Sequence, residues 1–351
     1  MTDRTANFDP SRLARCDDVY RSLGLTRDVS FNVDADYELG RVTIVHGARV
    51  EVIACDGAGR EVQLLCTFPS EINLRIVTGD WVVLKDDHVT RVLPRRSTLR
   101  RPDPNGKDVQ ILASNLDLVL LVVPIDRGLN IRMLERIAVM AFDSGARPVI
   151  ILTKSDEADN AQELSVVAHV VVPGIEVLTT SSRSGVGIEP LRAQLSEGVT
   201  AVMLGPSGAG KTSLLNALEG RDELTLRVSR GGEGRHATST RRLYRLASGG
   251  VLLDIPGIRL VDLLVGQDGV EEAFADIEAL GAQCRFRDCS HLGDLGCAVQ
   301  QAIDNGELSS QRYESWKILQ SERSHQDRRR SAESLTSPER ARKRTPKPPT
   351  P

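Results

Sequence analysis

Residues 199–216 read V-T-A-V-M-L-G-P-S-G-A-G-K-T-S-L-L-N, and this stretch decides the fold of the middle of the chain. The apolar run at 199–204 predicts a buried strand, and the leucines at 214, 215 and 218 predict a helix. The glycine-rich segment between them fits G-x-x-x-x-G-K-[ST], whose backbone N–H groups and helix N-terminus bind an anion. We therefore expect a nucleoside triphosphate to bind at Gly205, Pro206, Ser207, Gly208, Ala209, Gly210, Lys211, Thr212 and Ser213.

Residues in and near this phosphate loop have predicted roles in phosphate and metal binding. Lys211 is expected to reach the β and γ phosphates and to support catalysis, while the Thr212 hydroxyl binds Mg²⁺. A second apolar strand ends at Asp254 in the segment D-I-P-G, which closes with Gly257. An aspartate at this position holds Mg²⁺ in phosphate-loop proteins, so Mg²⁺ is predicted to bind together with the nucleotide.

A third segment, T-K-S-D at 153–156, follows an Ile-rich apolar strand and indicates which base is bound. The Asp156 carboxylate can accept two hydrogen bonds from the N1–H and N2–H₂ edge of guanine, and adenine offers no such donor pair. Lys154 would lie along the base, and backbone N–H groups of a Ser-Ser loop at 181–182 would meet the guanine carbonyl. GTPases commonly carry N-K-x-D and S-A-x here, so Thr replaces Asn and Ser replaces Ala. The predicted GTP-binding residues outside the phosphate loop are Thr153, Lys154, Ser155, Asp156, Ser181 and Ser182.

The order of these motifs is unusual, because T-K-S-D and the Ser-Ser loop precede the phosphate loop. In ordinary GTPases the phosphate loop comes first. The sheet contacts do not depend on where the chain is cut, so we expect a circularly permuted GTPase domain. Strands alternate with helices from residue 116, which predicts an α/β unit with a mainly parallel sheet.

The rest of the chain predicts a multi-domain protein of 351 residues. Five short alternating segments between 41 and 93 predict a small β-barrel, best matched by the OB architecture. Its aromatic residues are Phe68 and Trp81, so backbone binding or docking is as plausible as base stacking. The expected boundaries are a flexible arm at 1–37 with a helix near 12–23, the OB barrel at 38–95, a basic linker at 96–112, the GTPase domain at 113–266, a helical zinc-binding domain at 267–322 and a disordered basic tail at 323–351.

Cysteine and histidine cluster near the C-terminus, in the spacing Cys284-x₄-Cys289-x-His291-x₅-Cys297. Three thiolates and one imidazole suit a closed tetrahedral Zn²⁺ site, which is structural because no ligand position is left for water. The other three of the six cysteines are scattered. We therefore expect one structural zinc ion, no disulfide framework and a reducing cytosol.

Composition adds limits on location and partners. The net charge is −3, and no apolar run approaches the ~18 residues of a membrane span, so no membrane association is expected. The N-terminus is polar and acidic, unlike a signal peptide. The linker and the tail are rich in Lys and Arg, and contact with RNA phosphates and a merely solvated segment both stay open for them. A cytoplasmic monomer is expected.

The combination of barrel, permuted GTPase motifs and Cys/His cluster resembles the ribosome small subunit-dependent GTPase A family, over about residues 38–320. The resemblance implies GTP hydrolysis to GDP and phosphate, stimulated by the 30S subunit, and a role in late maturation of that subunit and its rRNA. Position 258 is Ile, whereas Ras-like enzymes use Gln there to orient water. The resemblance assigns catalysis to His236 and Mg²⁺ contact to Thr238 or Thr240, all in the polar segment 231–240.

Two other classes of function stay open at this point. One is an RNA-binding zinc and OB module whose nucleotide domain is mainly structural. The other is a phosphate-loop ATPase, which nucleotide competition would distinguish from a GTPase because Asp156 should reject ATP.

Overall fold

The computed structural model describes residues 10–25, 37–68, 76–102, 109–220, 241–254 and 267–336. The first unit is a closed five-stranded barrel with the strand order β1-β2-β3-β5-β4, which is the order of the OB architecture and confirms that prediction. Val42, Val52 and Val82 fill its interior at 1% exposure or less. The barrel strands are β1 (Glu38–His46), β2 (Arg49–Cys55), β3 (Glu61–Thr67), β4 (Trp81–Lys85) and β5 (His88–Val92).

Helix α1 (Pro10–Ser22) packs against the outside of the barrel. The ring of Tyr20 meets Trp81 edge-on at 6.1 Å, and Trp81 is only 3% exposed. Trp81 is therefore a core residue and is not available to stack on a base, and Phe68 also packs on the barrel interior. Cys16 of α1 forms a disulfide with Cys55 of β2, so the expectation that no cysteines pair is wrong for these two.

The expected basic linker is instead ordered as a hairpin, made of β6 (Thr98–Pro102) and β7 (Val109–Ser114). Leu99 and Leu112 are buried in the core of the following unit, which explains why an arginine-rich segment folds. Residues 103–108 lie outside the described part of the chain.

A six-stranded sheet with the order β10-β9-β8-β11-β13-β12 forms the central unit. The first five strands are parallel, and β12 is antiparallel to β13. Along β8, alternate residues belong to the hydrophobic cores on the two faces of the sheet, as expected for a strand buried on both sides. The strands are β8 (Leu118–Pro124), β9 (Arg147–Thr153), β10 (Glu176–Thr179), β11 (Thr200–Leu204), β12 (Arg242–Arg245) and β13 (Val251–Asp254).

Four helices flank this sheet: α2 (Ile131–Phe142), α3 (Ala161–Val171), α4 (Ile188–Gln194) and α5 (Lys211–Glu219). The chain builds β8, β9 and β10 outwards and then returns to place β11 on the other side of β8. This connectivity puts the phosphate-loop strand in the middle of the sheet although its motif comes late in the chain, as the permutation requires.

Buried polar residues join the barrel to the sheet. The Arg41 guanidinium, 0% exposed, donates to the carbonyl oxygens of Leu23 (2.8 Å) and Asn115 (3.1 Å) and lies 4.9 Å from the Trp81 ring. Burial lowers the pKa of Arg41 to about 9. Asp80, whose side chain is 0% exposed, accepts hydrogen bonds from Arg95 at 2.7 Å. The barrel is thus fixed to the sheet by groups that would be costly to leave unpaired.

A second barrel contact reaches strand β12 at the sheet edge. Arg245 pairs with Glu61 of β3, and the Thr78 hydroxyl donates to the Arg241 carbonyl oxygen at 3.4 Å. A cleft of about 290 Å³ remains between β12 and strands β1 to β3.

The C-terminal unit consists of helices α6 (Gln267–Ala273), α7 (Ala275–Gly281), α8 (Ala298–Asp304) and α9 (Ser310–Thr336). Helix α6 packs closely on α2, because a Cβ at Gly269 would come within 2.2 Å of the Val139 carbonyl oxygen. Helix α9 continues to Thr336, so residues 323–336 are helical and not part of a disordered tail. Within the described ranges, no helix combines the length and apolar character needed to cross a membrane.

Candidate functional site

The phosphate loop connects β11 to α5 at the carboxyl end of the sheet. A Cβ at Gly205 would come within 2.3 Å of the Val122 carbonyl oxygen, so only glycine allows the loop to pass this close to β8. Gly210 has φ +90° and precedes the first residue of α5. The Lys211 ammonium donates to the carbonyl oxygens of Gly205 (2.8 Å) and Pro206 (2.9 Å), which holds it over the loop at the helix N-terminus.

The T-K-S-D segment lies beside this loop. Strand β9 ends at Thr153 and is parallel to β8 and β11, so its carboxyl end lies at the same edge of the sheet as the phosphate loop. The Thr153 hydroxyl donates to the Ala209 carbonyl oxygen at 2.6 Å and so ties the segment to the phosphate loop. Lys154 has φ +62°, and its ammonium binds the Asp126 carboxylate at 2.9 Å. The first turn of a short 3₁₀ helix (Ser155–Glu157) then presents Asp156 at the surface.

Asp156 belongs to one cavity with the phosphate loop. This cavity of about 590 Å³ is lined by Thr153, Asp156, Ser182, Gly210 and Ser213, among others. A hydrogen bond from the Ser181 hydroxyl, assisted by the positive charge of Arg183, lowers the pKa of Asp156 below its usual value. Asp156 is therefore ionised at neutral pH, as an acceptor for two purine donors must be.

The loop after β10 is held in place from both sides. The Thr180 N–H donates to the Leu152 carbonyl oxygen at 2.7 Å, and the Ser184 N–H donates to the Ser181 hydroxyl at 3.0 Å. These bonds position Ser182 beside Asp156 in the cavity, where backbone N–H groups are expected to meet a base.

The residues predicted to bind Mg²⁺ and to act in hydrolysis are only partly described. Thr212 lies in the first turn of α5, and Asp254 ends β13, the strand hydrogen-bonded to β11. Both positions are at the carboxyl edge of the sheet beside the phosphate loop. The predicted residues His236, Thr238, Thr240 and Gly257 lie outside the described part of the chain.

The site also contains residues that were not predicted from the sequence, and two of them are charged groups that act on the T-K-S-D segment. Asp126 follows β8 and binds Lys154, and Arg183 lines the cavity near Asp156. The position of Asp126 just after a buried parallel strand was the available signal, because such strand ends meet at one edge. Nothing in the local pattern distinguishes Arg183 from other loop arginines.

The Cys/His cluster is assembled by the loop between α7 and α8. One ligand atom from each of Cys284, Cys289, His291 and Cys297 lies within 4.8 Å of all the others. The His291 Nδ1 atom is 3.4 Å from the Cys284 sulfur and 3.6 Å from the Cys297 sulfur. A tetrahedron of ligands at about 2.0–2.3 Å from zinc gives such separations.

The surroundings of the cluster also fit a bound metal. The backbone N–H groups of Ala298 and Gln300 donate to the sulfurs of Cys284 and Cys297, at 3.3 and 3.4 Å, which suits thiolates. The Tyr313 hydroxyl donates to the His291 carbonyl oxygen. His291 itself has φ +60°. Such second contacts orient ligands before the metal binds.

A five-stranded barrel, a permuted phosphate-loop sheet with an ionised aspartate in the nucleotide cavity, and a Cys₃His helical unit together define the class: a circularly permuted GTPase. Comparison with known proteins agrees with this. The sequence model of the RsgA GTPase family matches residues 92–264. The chain belongs to the RsgA GTPase family, whose members are GTP-hydrolysing enzymes.

Relatives named small ribosomal subunit biogenesis GTPase RsgA align over most of this chain. The protein from Streptomyces avermitilis is 40% identical over 313 residues, covering 83% of this chain and 84% of the relative. RsgA 1 from Listeria innocua is 35% identical over 309 residues, covering 85% and 87%.

Two solved structures share the fold. YjeQ from Thermotoga maritima has a TM-score of 0.61 at 27% identity, covering 81% of this chain and 98% of that one. YloQ, described as a circularly permuted GTPase, has a TM-score of 0.58 at 21% identity, covering 85% and 98%, and this likeness concerns the fold alone.

Proposed function

We propose that this GTPase binds the small (30S) ribosomal subunit and assists its late maturation, with GTP hydrolysis stimulated by that subunit. The observation that carries the proposal is the sequence relationship over more than four fifths of the chain to proteins named for small-subunit biogenesis. The shared cavity of Asp156 and the phosphate loop supports the choice of GTP as nucleotide.

In the proposed site, Asp156 reads the guanine N1 and N2 donors, and Lys154 flanks the base while bound to Asp126. The Ser181–Ser182 loop meets the guanine carbonyl. Lys211 and the backbone N–H groups of residues 205–213 bind the β and γ phosphates. Mg²⁺, held by Thr212, a switch threonine (Thr238 or Thr240) and Asp254, would neutralise phosphate charge.

Water activation is assigned to His236, because Ile258 cannot orient a water molecule. An imidazole can act as base or water-positioning group near neutral pH. We expect slow turnover of the isolated protein and fast turnover once the 30S subunit is bound. GTP then favours binding to the subunit, and hydrolysis favours release.

The RNA-facing surfaces are proposed to be the arginine-rich hairpin β6–β7, the zinc-binding loop and the basic end of the chain. Arg285 and Arg287 lie between the metal ligands, where the metal would hold them in a fixed arrangement. One structural Zn²⁺ per chain, action as a monomer and a cytoplasmic location complete the proposal.

Turnover with and without purified 30S subunits tests the proposal most directly. We expect 30S subunits, and not 50S subunits, to raise the rate of GTP hydrolysis. His236→Ala should bind GTP like the parent chain and lose this stimulation. Equal rates with both subunits would contradict the proposal, and normal stimulation of His236→Ala would remove His236 from the mechanism.

The switch mechanism has its own test, the affinity of the protein for 30S particles in two nucleotide states. A non-hydrolysable GTP analogue should support tighter binding than GDP. Equal affinities together with normal ribosome assembly by Lys211→Ala would instead favour an RNA-binding protein with a structural nucleotide domain. Displacement of bound GDP by ATP would favour an ATPase.

A further inference from the structure

The hydroxyl group of Thr153 has a single defined role in the structure. Thr153 is 3% exposed at the end of β9, and its Oγ1 donates to the Ala209 carbonyl oxygen at 2.6 Å. Ala209 is 0% exposed, so water does not offer this carbonyl an alternative partner. The backbone of Thr153 is also fixed, because its carbonyl oxygen accepts from the Ile125 N–H at 3.1 Å.

Counting hydrogens limits what this side chain can do for a nucleotide. A hydroxyl carries one hydrogen, whereas an asparagine amide carries two and also has an acceptor oxygen. The one hydrogen of Thr153 is used on the phosphate loop. The ring nitrogen N7 of a purine is an acceptor and needs a donor, which Thr153 cannot supply while it holds Ala209.

The cationic donor within the T-K-S-D segment itself is also engaged. The Lys154 ammonium is held by the Asp126 carboxylate at 2.9 Å. Asp156, the other functional group of the T-K-S-D segment in this cavity, is an acceptor and not a donor.

We infer that Thr153 is a positioning residue for the phosphate loop and that this site binds guanine nucleotides without a hydrogen bond to purine N7. The inference rests on the proposed role of T-K-S-D in reading guanine. It makes the site selective for the N1 and N2 edge alone and indifferent to the atom at position 7 of the ring.

Competition with a fluorescent GDP derivative on the full chain tests the second half of the inference. GDP and 7-deaza-GDP, in which a C–H replaces N7, should displace the probe with dissociation constants within about twofold of each other. Thr153→Asn, of similar volume, adds an amide donor and should come to prefer GDP by about three- to tenfold, the effect of one neutral hydrogen bond.

Thr153→Val and Thr153→Ser test the role in positioning the loop. Valine keeps the shape but leaves the buried Ala209 carbonyl unpaired, so both nucleotides should bind about five- to tenfold more weakly, with their ratio unchanged. Serine keeps the hydroxyl and should restore the affinity of the parent chain. Thermal melting of each variant identifies any that is misfolded, and Thr153→Ser then carries the test.

Three results would overturn the inference. They are a fivefold or greater preference of the parent chain for GDP over 7-deaza-GDP, an unchanged ratio in Thr153→Asn, and full affinity of Thr153→Val. The underlying role of the segment is tested separately with Asp156→Asn, which should prefer xanthosine diphosphate because an amide can donate to its C2 carbonyl. If that switch fails, the guanine assignment fails whatever Thr153 does.

Discussion

Replacing Arg312 by alanine is expected to loosen the C-terminal unit from the GTPase unit. Arg312 of α9 donates to both carboxylate oxygens of Asp276 at 2.6 Å and to the carbonyl oxygens of Val171 (2.6 Å) and Ala273 (2.9 Å). It also reaches Glu135 of α2 at 3.4 Å. One guanidinium therefore connects α9 with α2, α3, α6 and α7.

The expected cost follows from the burial of the partners. The Glu135 side chain is 1% exposed and that of Arg312 is 11% exposed, so the variant leaves a carboxylate buried without its cation. Breaking one side of such a pair costs about 3 kcal/mol. In a Glu135→Gln background no carboxylate charge is left buried without a partner at position 135. Arg312→Ala should then cost only about 1–2 kcal/mol.

The pH dependence of stability gives a second signature. Burial raises the pKa of Glu135 above its ordinary value of 4.5, and the Ser315 hydroxyl and Arg312 only partly offset this. Between 4.5 and the folded-state pKa, the folded chain holds a proton that the unfolded chain has released. The free energy of unfolding therefore falls as pH rises through this window, and Glu135→Gln should remove that slope.

Urea denaturation followed by Trp316 fluorescence in a Trp81→Phe background measures these differences in the C-terminal unit. Arg323→Ala, about three turns further along α9, is the matched control and should change stability by less than about 0.5 kcal/mol. A cost of Arg312→Ala below about 1 kcal/mol, or an equal cost in both Glu135 backgrounds, would refute the reasoning.

Three further predictions concern the metal cluster, the barrel and the base site. Cys297→Ser should purify with much less zinc than the parent chain, measured by atomic emission, and full zinc retention would contradict the ligand set. Reduction of Cys16–Cys55, which are 39 residues apart, should lower the free energy of unfolding by about 4 kcal/mol in denaturant titrations. The free energy of unfolding of the Cys16→Ser/Cys55→Ser variant should be the same with and without reductant. Asp126→Asn frees Lys154 and should weaken GDP binding about two- to fivefold by fluorescence titration, whereas an unchanged affinity would show that this ion pair does not position the lysine.

Much of the architecture could be predicted because the buried strands are recognisable from their apolar residue patterns. Parallel strands covered on both faces are nearly continuous apolar runs, as at 118–124 and 147–153, and the barrel strands alternate. The spacing of the four metal ligands is local in sequence, so the predicted cluster is assembled in the structure.

The features that sequence reasoning missed depend on contacts between distant residues. The hairpin β6–β7 pairs Thr98 with Ser114. Its many arginines make the segment look like a charged linker in the sequence, although Leu99 and Leu112 are buried and anchor it. Arg41 lies in a strand but is wholly buried, because its partners come from three separate segments. No local pattern marks the pairing of Asp126 with Lys154 or of Cys16 with Cys55.

The position of the barrel against β12 has a consequence for how the chain avoids aggregation. A sheet that ends in an unpaired strand offers its open backbone groups to any other chain, and proteins protect such margins. Within the described part of the chain, β12 and β10 are the two margins of the sheet. The barrel shields β12 through Glu61 and Thr78, and β10 is only four residues long. A fragment beginning after the barrel would lose this shield, and we expect it to self-associate through β12.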